Sequence, residues 1–441
     1  MNNKQAIITR VAIAFVLLLF VFLFFCWRSA EAYDRLRSET LTRLQQIPGI
    51  AVSWLDDDSS PISRHGHIQI SILAPEEWFA SGSMPSLPPA VQTLLRKSGT
   101  ADLYLELDTL ILPGYLRGSA ELMYDRGTPL ELVNSGQMQP TRQRIRWQAN
   151  GWSDKLSAEF KSDGLMLHTP SIDATVQPTQ WRWQQQDENK LLSWQLPGLK
   201  LQHGDNTLEL SQANGSLSLT PGNDGNPLPC LDLSFQKGRM TTDNESLDMD
   251  ELTLFSEISR NPQGILSLVN AEWQSALGAI HYRRYIDNWE IVSSAVRIGL
   301  RLHDVEQQGL RQLLTELGNS RQNQSGLFSA INRITRSGFA VDLEDIQMQL
   351  PQGEFKASGT VSSRPFDMAQ LNNFASMRSL LQASIELHTN ETLASSLLPE
   401  ENDLLAMKQA GYFDISAKSM LASRVRMVNG KLSANGVALP W

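Results

Sequence analysis

Two periods of apolar residues organise this chain. From Val11 to Trp27 the sequence reads VAIAFVLLLFVFLFFCW without one polar side chain. With Ile7 and Ile8 the run reaches about 30 Å at ~1.5 Å per helical residue, the thickness of a bilayer core. The pattern predicts residues 1–28 as a short stub and an uncleaved transmembrane anchor, with Val11, Leu18, Phe22 and Trp27 along the span. Ala30-Glu31-Ala32 imitates a signal-peptidase site, but the apolar region is longer than the roughly 7–15 residues of a cleaved signal and is crowded with Phe. Leu23 and Cys26 have lipoprotein-like spacing, yet Phe24 and Phe25 stand where that processing needs small side chains. Lys4 and Arg10 on one side face Arg28, Arg35, Arg37 and Arg43 on the other, so charge does not orient the span. A short N-terminal stub before one span is the signal-anchor arrangement that puts the bulk outside.

Tyr33, Leu36, Thr40, Leu44 and Ile47 continue at three- to four-residue spacing, which predicts an amphipathic stalk helix over 29–47, stopped by Pro48-Gly49. Its apolar face could pack on the chain's own domain or on a second copy. From His67 the period becomes two: Ile68, Ile70 and Ile72, then Leu103, Leu105 and Leu107, predict strands. The alternation returns at Leu165 with Leu167, Leu199 with Leu201, Leu208 with Leu210, Leu217 with Leu219, Leu231 with Leu233, Leu252 with Leu254, and Ile298, Leu300 and Leu302. Ala149-Asn150-Gly151, Asn214-Gly215 and the segment 221–227 read as turns. One helix is expected near Pro88–Gly99, built on Val91, Leu94 and Leu95. Beyond Val305 helical spacing enters at Leu310, Leu313, Leu314 and Leu317, and again at Leu327, Phe328, Ile331 and Ile334. Strands resume at Phe339–Leu350 and Phe355–Val361, joined by Gln352-Gly353, with short helices near Met368–Phe374 and Leu404–Ala410 about a strand over Leu380–His388. The expected fold is mostly β with an α+β C-terminal part: long antiparallel sheets behind one N-terminal transmembrane helix, with a β-rich domain over 48–304 and an α+β domain over 305–441 completing the sheet.

Charge and chemistry narrow the function classes. Lys+Arg 38 against Asp+Glu 47 leaves a net charge of −9, which repels phosphate backbones and argues against nucleic-acid partners. Two cysteines, Cys26 and Cys230, make no disulfide framework. Cys230 reads as a small core residue. His65-Gly66-His67 places two imidazoles on one strand face close to Asp56-Asp57-Asp58, so a metal site can be drawn, but solvated polar residues at a strand entry explain the same letters. Lys97-Ser98-Gly99 lacks the upstream nucleophile motif of penicillin-binding enzymes and reads as a helix C-terminus. Serine-hydrolase, zincin and P-loop signatures are absent from the sequence. No catalytic, cofactor or metal residues are assigned, and the chain is expected not to be an enzyme. Trp147, Trp152, Trp181, Trp183 and Trp194 crowd one region; Trp181 and Trp183 share a face, either as sheet core or as an acyl-chain or membrane-surface stripe.

The C-terminal third resembles the DUF945 (YdgA-like) family of Gram-negative envelope proteins. The resemblance rests on Leu300-Arg301-Leu302, on Pro351-Gln352-Gly353-Glu354 with Gly359, and on Gly430-Lys431-Leu432-Ser433-Ala434-Asn435-Gly436 with Leu439-Pro440. Pro48-Gly49-Ile50 and Trp194–Leu199 sit in matching places. What it implies is a location, the inner membrane with the bulk in the periplasm; the family brings no assigned activity.

The expected function is a non-enzymatic, inner-membrane-anchored periplasmic protein of envelope assembly or maintenance that shields lipid on an apolar sheet face. An apolar groove is expected along Leu165, Leu167, Trp181, Trp183, Leu199, Leu201, Leu208 and Leu210, because residues at spacing two share a face. The alternative is a scaffold, or a homo-oligomer, that binds protein through sheet edges or the stalk. Gly353, Asn435 and Gly436 are assigned to turns, the last two as a type I′ hairpin.

Overall fold

β-Strands with strict two-residue alternation need neighbours for their backbone groups and cover for one face, and this chain supplies the neighbours in sequence order. The computed structural model describes residues 3–47, 49–60, 62–73, 101–150, 153, 155–168, 173–222, 227–261, 263–265, 267–318, 324–368, 379–397, 401–416 and 420–439; the side chains of 3–21 and 23 are not among them. The helix expected at Pro88–Gly99, Trp152, and all but the first residue of Met368–Phe374 lie outside the described residues. The chain divides into two units, 1–204 and 205–441. This differs from the boundary expected at 304/305. Helices do begin there, but a strand ending at Glu306 runs straight into a helix starting at Gln307, so the change of period marks a cap on one sheet and not a linker.

The first unit opens with α1 (Asn3–Gln45), one helix of 43 residues that continues the apolar run into the stalk, as its spacing predicts. Among the described side chains no helix is long and apolar enough to cross a membrane; most of Val11–Trp27 precedes them. Behind α1, β1 (Ile50–Ser59), β2 (Ser63–Ile72), β3 (Ala101–Leu112), β4 (Tyr115–Leu122), β5 (Gln143–Asn150) and β6 (Leu156–Ser162) each pair antiparallel with the next. β7 (Leu165–His168) prolongs the line of β6, and β8 (Asp173–Val176) that of β9 (Thr179–Gln186). β6 pairs with β9 and β7 with β8, and both β8 and β9 pair with β10 (Asn189–His203). α2 (Gly127–Asn134) lies between β4 and β5; at eight residues it is too short to show a period in the sequence.

The stalk half of α1 packs on its own unit. Tyr33 and Ala30 are buried with Ile111 and Leu116, against Trp54 and Trp147. The Tyr33 ring stacks on Trp147 and meets Trp54 edge-on, at 6.2 Å centroid separations. Arg37 donates to the Trp54 carbonyl at 2.8 Å and Gln45 to the Val52 carbonyl at 3.4 Å, so α1 ties up edge groups of β1 that would otherwise be open to another strand.

The second unit is a second meander. β11 (Asn206–Pro221), β12 (Pro227–Thr241) and β13 (Glu245–Arg260) pair in order. β13 then pairs with both β14 (Leu268–Leu277) and β15 (Ala279–Arg284), which share one line. That line forms a long hairpin with β16 (Trp289–Ser293) and β17 (Ala295–Glu306). β18 (Phe339–Leu350), β19 (Gly353–Ser363), β20 (Leu381–Asn390) and β22 (Met420–Val428) follow, with β21 (Asp414–Ser416), β23 (Lys431–Ala434) and β24 (Val437–Ala438) at the end. α3 (Gln307–Gly318) and α4 (Gln324–Ser337) match the helical spacing of the sequence and close one end over Val269, Val305 and Leu228 through Leu310 and Ile334. α5 (Glu391–Leu397) and α6 (Glu401–Gln409) close another place, where Ala394 and Leu404 bury Leu421. α5, unexpected from the sequence, is capped by Asn390, whose side-chain oxygen accepts the Leu393 N–H at 3.0 Å.

Turns follow the sequence unevenly. Asn435-Gly436 is the expected two-residue hairpin, with φ of 46° and 83° at its two residues and Ala434 paired to Val437. Gln352-Gly353 is not the loop: Leu350 pairs with Gly353, so Pro351-Gln352 turn the chain. Gly353 is needed for another reason, since a Cβ there would lie 2.0 Å from the Asn390 side chain that caps α5. Asn214-Gly215 is not a turn either; both residues pair across β11 with Ser234 and Leu233.

Candidate functional site

The register shows how the alternation is spent. In the second unit one row of paired residues runs Leu217, Leu231, Ser256, Trp273, Leu300, Leu343, Gly359, Ile385, Val425 and Ala434. Two residues along each strand from Ile258 onward, a second row runs Ile258, Ala271, Leu302, Val341, Val361, Ala383, Met427 and Leu432. Between them lies the row Ser218, Cys230, Glu257, Glu272, Arg301, Asp342, Thr360, Ser384, Arg426 and Ser433, on the opposite face. One face is therefore apolar and the other polar. The first row crosses about 40 Å at ~4.8 Å between strands.

Burial separates this apolar face from an ordinary core. Trp273, Leu300, Leu343, Ile385 and Val425 are all half-buried. The large fully buried side chains Val269, Val305 and Leu421 sit where α3 to α6 cover the sheet. Away from those helices the apolar rows keep partial access to solvent.

The first unit repeats the design on a smaller scale. Leu107, Ala120, Ile145, Phe160, Trp181 and Trp194 form one row, and Trp147, Ala158, Trp183 and Leu192 the next. Trp147, Trp181, Trp183 and Trp194 thus share a face, as expected of Trp181 and Trp183. Trp181 stacks on Trp194 with centroids 6.0 Å apart and is 40% exposed. Arg182 points the other way and pairs with Glu159 at 3.1 Å. Trp147 lies flat over Gly118, where a Cβ would come within 2.2 Å of the ring.

The residues expected to line one groove are brought together only in part. Leu165 and Leu167 pair with Val176 and Ala174, which pair in turn with Leu199 and Leu201. Trp181 and Trp183 lie across a break formed by Gly164 (φ 106°), Gln177-Pro178 and Gly198. On β10 the more sheltered apolar positions are Leu192, Trp194 and Leu196 before Gly198 and Leu199 and Leu201 after it, a change of parity at the break. Leu208 and Leu210 belong to the second unit, in the row Leu208, Met240, Leu247, Tyr282 and Ile291 and beside it. The larger apolar expanse, from Leu217 to Leu432, was visible in the sequence only as separate strands. Of the anchor residues, Val11 and Leu18 have undescribed side chains, while Phe22 and Trp27 are exposed on α1.

Candidate chemistry on the polar face is dispersed. His65 pairs with Asp108 at 2.7 Å and His67 with Asp57 at 2.9 Å, each imidazole with its own carboxylate. Among the described residues no group of three or more ligating side chains could hold a metal ion. Burial and the nearby Glu257 carboxylate push the Cys230 thiol above its ordinary range, which weakens it as a nucleophile. Shallow hollows of about 560 and 410 Å³ open on the polar side, lined by arginine–carboxylate pairs such as Arg424 with Glu386 and Arg182 with Glu159. No known protein family, curated protein or solved structure matches this chain.

Proposed function

We propose that this protein is a non-enzymatic, membrane-anchored envelope protein that shelters lipid acyl chains against its apolar sheet faces. The observation that carries the reading is the pair of mostly apolar rows, one across β11 to β23 and one from β13 to β23, half-buried at Trp273, Leu300, Leu343, Ile385 and Val425 and covered by helices only toward their ends. Apolar surface of that extent needs a partner, because soluble chains seldom leave more than a few hundred Å² of it contiguous. An acyl chain fits a surface that offers width and no directed polar groups; a protein partner would meet matching hydrogen-bonding groups among the apolar ones. The Val11–Trp27 run would hold the chain at a membrane, and the resemblance to DUF945 proteins favours the inner membrane with the bulk in the periplasm. Scaffolding through the edge of β1 is the weaker reading, since Arg37 and Gln45 already occupy its carbonyls.

Mass spectrometry of lipids extracted with the gently purified full chain tests this directly. Wild type should carry phospholipid or another acyl lipid, and Leu300→Asp should lose it while keeping wild-type secondary structure. A Leu300→Asp chain that unfolds would mean a closed core at that face and would leave the protein-scaffold reading ahead.

A further inference from the structure

The long hairpin of the second unit ends in an apolar tip. β15 and β16 close through Tyr285, Ile286, Asp287 and Asn288, with Arg284 paired to Trp289. Ile286 is 79% exposed at the apex, flanked by Tyr285 at 45% and Trp289 at 47%. The tip is held in shape. The Tyr285 N–H donates to the Asn244 carbonyl at 2.8 Å. The Arg284 guanidinium lies 5.3 Å from the Trp289 ring centre, and that of Arg283 lies 5.9 Å from the ring centre of Tyr285. Arg284 also pairs with Asp287, Arg283 donates to Asn288 at 3.0 Å, and Trp289 meets Tyr282 edge-on at 5.7 Å.

We propose that this tip is a docking element for a zwitterionic lipid surface, into which Ile286 inserts with Tyr285 and Trp289 at headgroup depth. Three observations favour a bilayer. The apex is a projecting aliphatic side chain between two amphipathic aromatics, the order in which apolar and interfacial groups meet a membrane. The arginines that brace the rings can keep their heads in water while their stems follow the rings down. On the hairpin Arg283 and Arg284 are balanced by Asp287 and Glu290, and Asp243 and Glu245 of the neighbouring turn add only negative charge, so an anionic surface gains nothing here. The docking goes beyond the lipid-sheltering reading and does not depend on it: a tip of this kind inserts whether or not the sheet carries lipid. The two would meet at Tyr282 and Ile291, which end the row begun by Leu208.

The test uses the full chain reconstituted into phosphatidylcholine vesicles. Ile286→Cys, in a chain with Cys26→Ala and Cys230→Ala, carries an environment-sensitive fluorophore, and Ser358→Cys on the exposed polar face of β19 is the control in the same background. Emission at 286 should shift to the blue and be quenched by brominated acyl chains, with no change at 358 and no loss in high salt. Trp289→Ala with Tyr285→Ala should lower the ratio of quenched to unquenched label about tenfold, the factor expected when two rings at headgroup depth together give up about the burial of one large apolar side chain. These exposed-site variants should keep the wild-type unfolding midpoint. A label at 286 that stays in water, equal quenching at both sites, a shift that needs anionic lipid and vanishes in salt, or one that appears only with added protein would each overturn the proposal.

Discussion

Replacing one leucine in the half-open face and one in a closed pocket of the same unit should give two clearly different costs. Leu421 is 0% exposed, packed with Ala394, Leu404 and Phe413. Leu421→Ala removes its buried methyl groups and leaves a cavity that the covering helices cannot fill, a loss of about 2–5 kcal/mol. Leu300 lies in the middle of an apolar row, between Trp273 and Leu343, and is only half-buried. Burying a whole leucine side chain is worth about 1.5–3 kcal/mol; Leu300 has achieved part of that, and no lid stands over it to leave a void, so Leu300→Ala should cost about 1 kcal/mol. Urea unfolding of the delipidated full chain held in an amphipathic polymer, followed by tryptophan fluorescence, reads both from the midpoints at a common slope. If the two substitutions cost the same, the apolar face is a closed core and the argument from half-burial fails. With lipid restored, the Leu300→Ala deficit should grow, since a ligand that binds only the folded state stabilises it by mass action and the variant would bind less.

Three further outcomes follow from particular contacts. Gly118→Ala would drive a methyl group to within 2.2 Å of Trp147, so the ring must leave its stack on Tyr33; a loss of about 1–3 kcal/mol and a changed near-UV dichroism spectrum should result. The hydrogen bond to Asp108 raises the pKa of His65 above its ordinary 6.5, so the pair stabilises fully below that value and the benefit fades as pH rises through the folded pKa; the stability gap between wild type and Asp108→Asn should shrink as pH is raised above 6.5, and a gap that widens would reverse the assignment. Arg37→Ala with Gln45→Ala uncovers the Trp54 and Val52 carbonyls and should produce concentration-dependent association in sedimentation velocity, where wild type of equal concentration shows none through this edge.

The sequence told which residues face together within a strand better than it told where strands end. Ile68 with Ile70, Leu231 with Leu233, and Ile298 with Leu300 and Leu302 all lie in strands, because alternation is a local consequence of the pleat. Helices α3 and α4 were equally legible, each with more than two turns of amphipathic spacing. α2 and α5 were not, being 8 and 7 residues long. The candidate site was legible in kind and not in extent. Spacing cannot say that β11 to β23 lie side by side in order, and only that order aligns Leu231, Trp273, Leu300, Leu343 and Ile385 into one surface.

One misreading explains how such long strands keep a single apolar face. Leu208 and Leu210 are even-numbered and Leu217 and Leu219 odd, which suggests two strands with Asn214-Gly215 turning between them. The structure has one strand, and the parity changes at Gln212, whose φ is 50°. β13, on the far side of β12, does the same: Leu247 and Met249 give way to Leu252 and Leu254 across Glu251, at φ 53°. Gln212 and Gln236 are both missing from the ladder between β11 and β12, and Gln236 and Glu251 from that between β12 and β13, so the step is shared across adjacent strands and their pairing resumes unchanged. A left-handed conformation costs a non-glycine residue about 1–2 kcal/mol, and two such residues in one line across three strands are retained only if the alternative costs more. Without the step, Leu208, Leu210, Leu247 and Met249 would all turn to the polar face. Four leucine- and methionine-sized side chains exposed to water outweigh two strained residues at about 1.5–3 kcal/mol apiece. The step is therefore the local expense that keeps the apolar face on one side of the sheet along the full length of these strands.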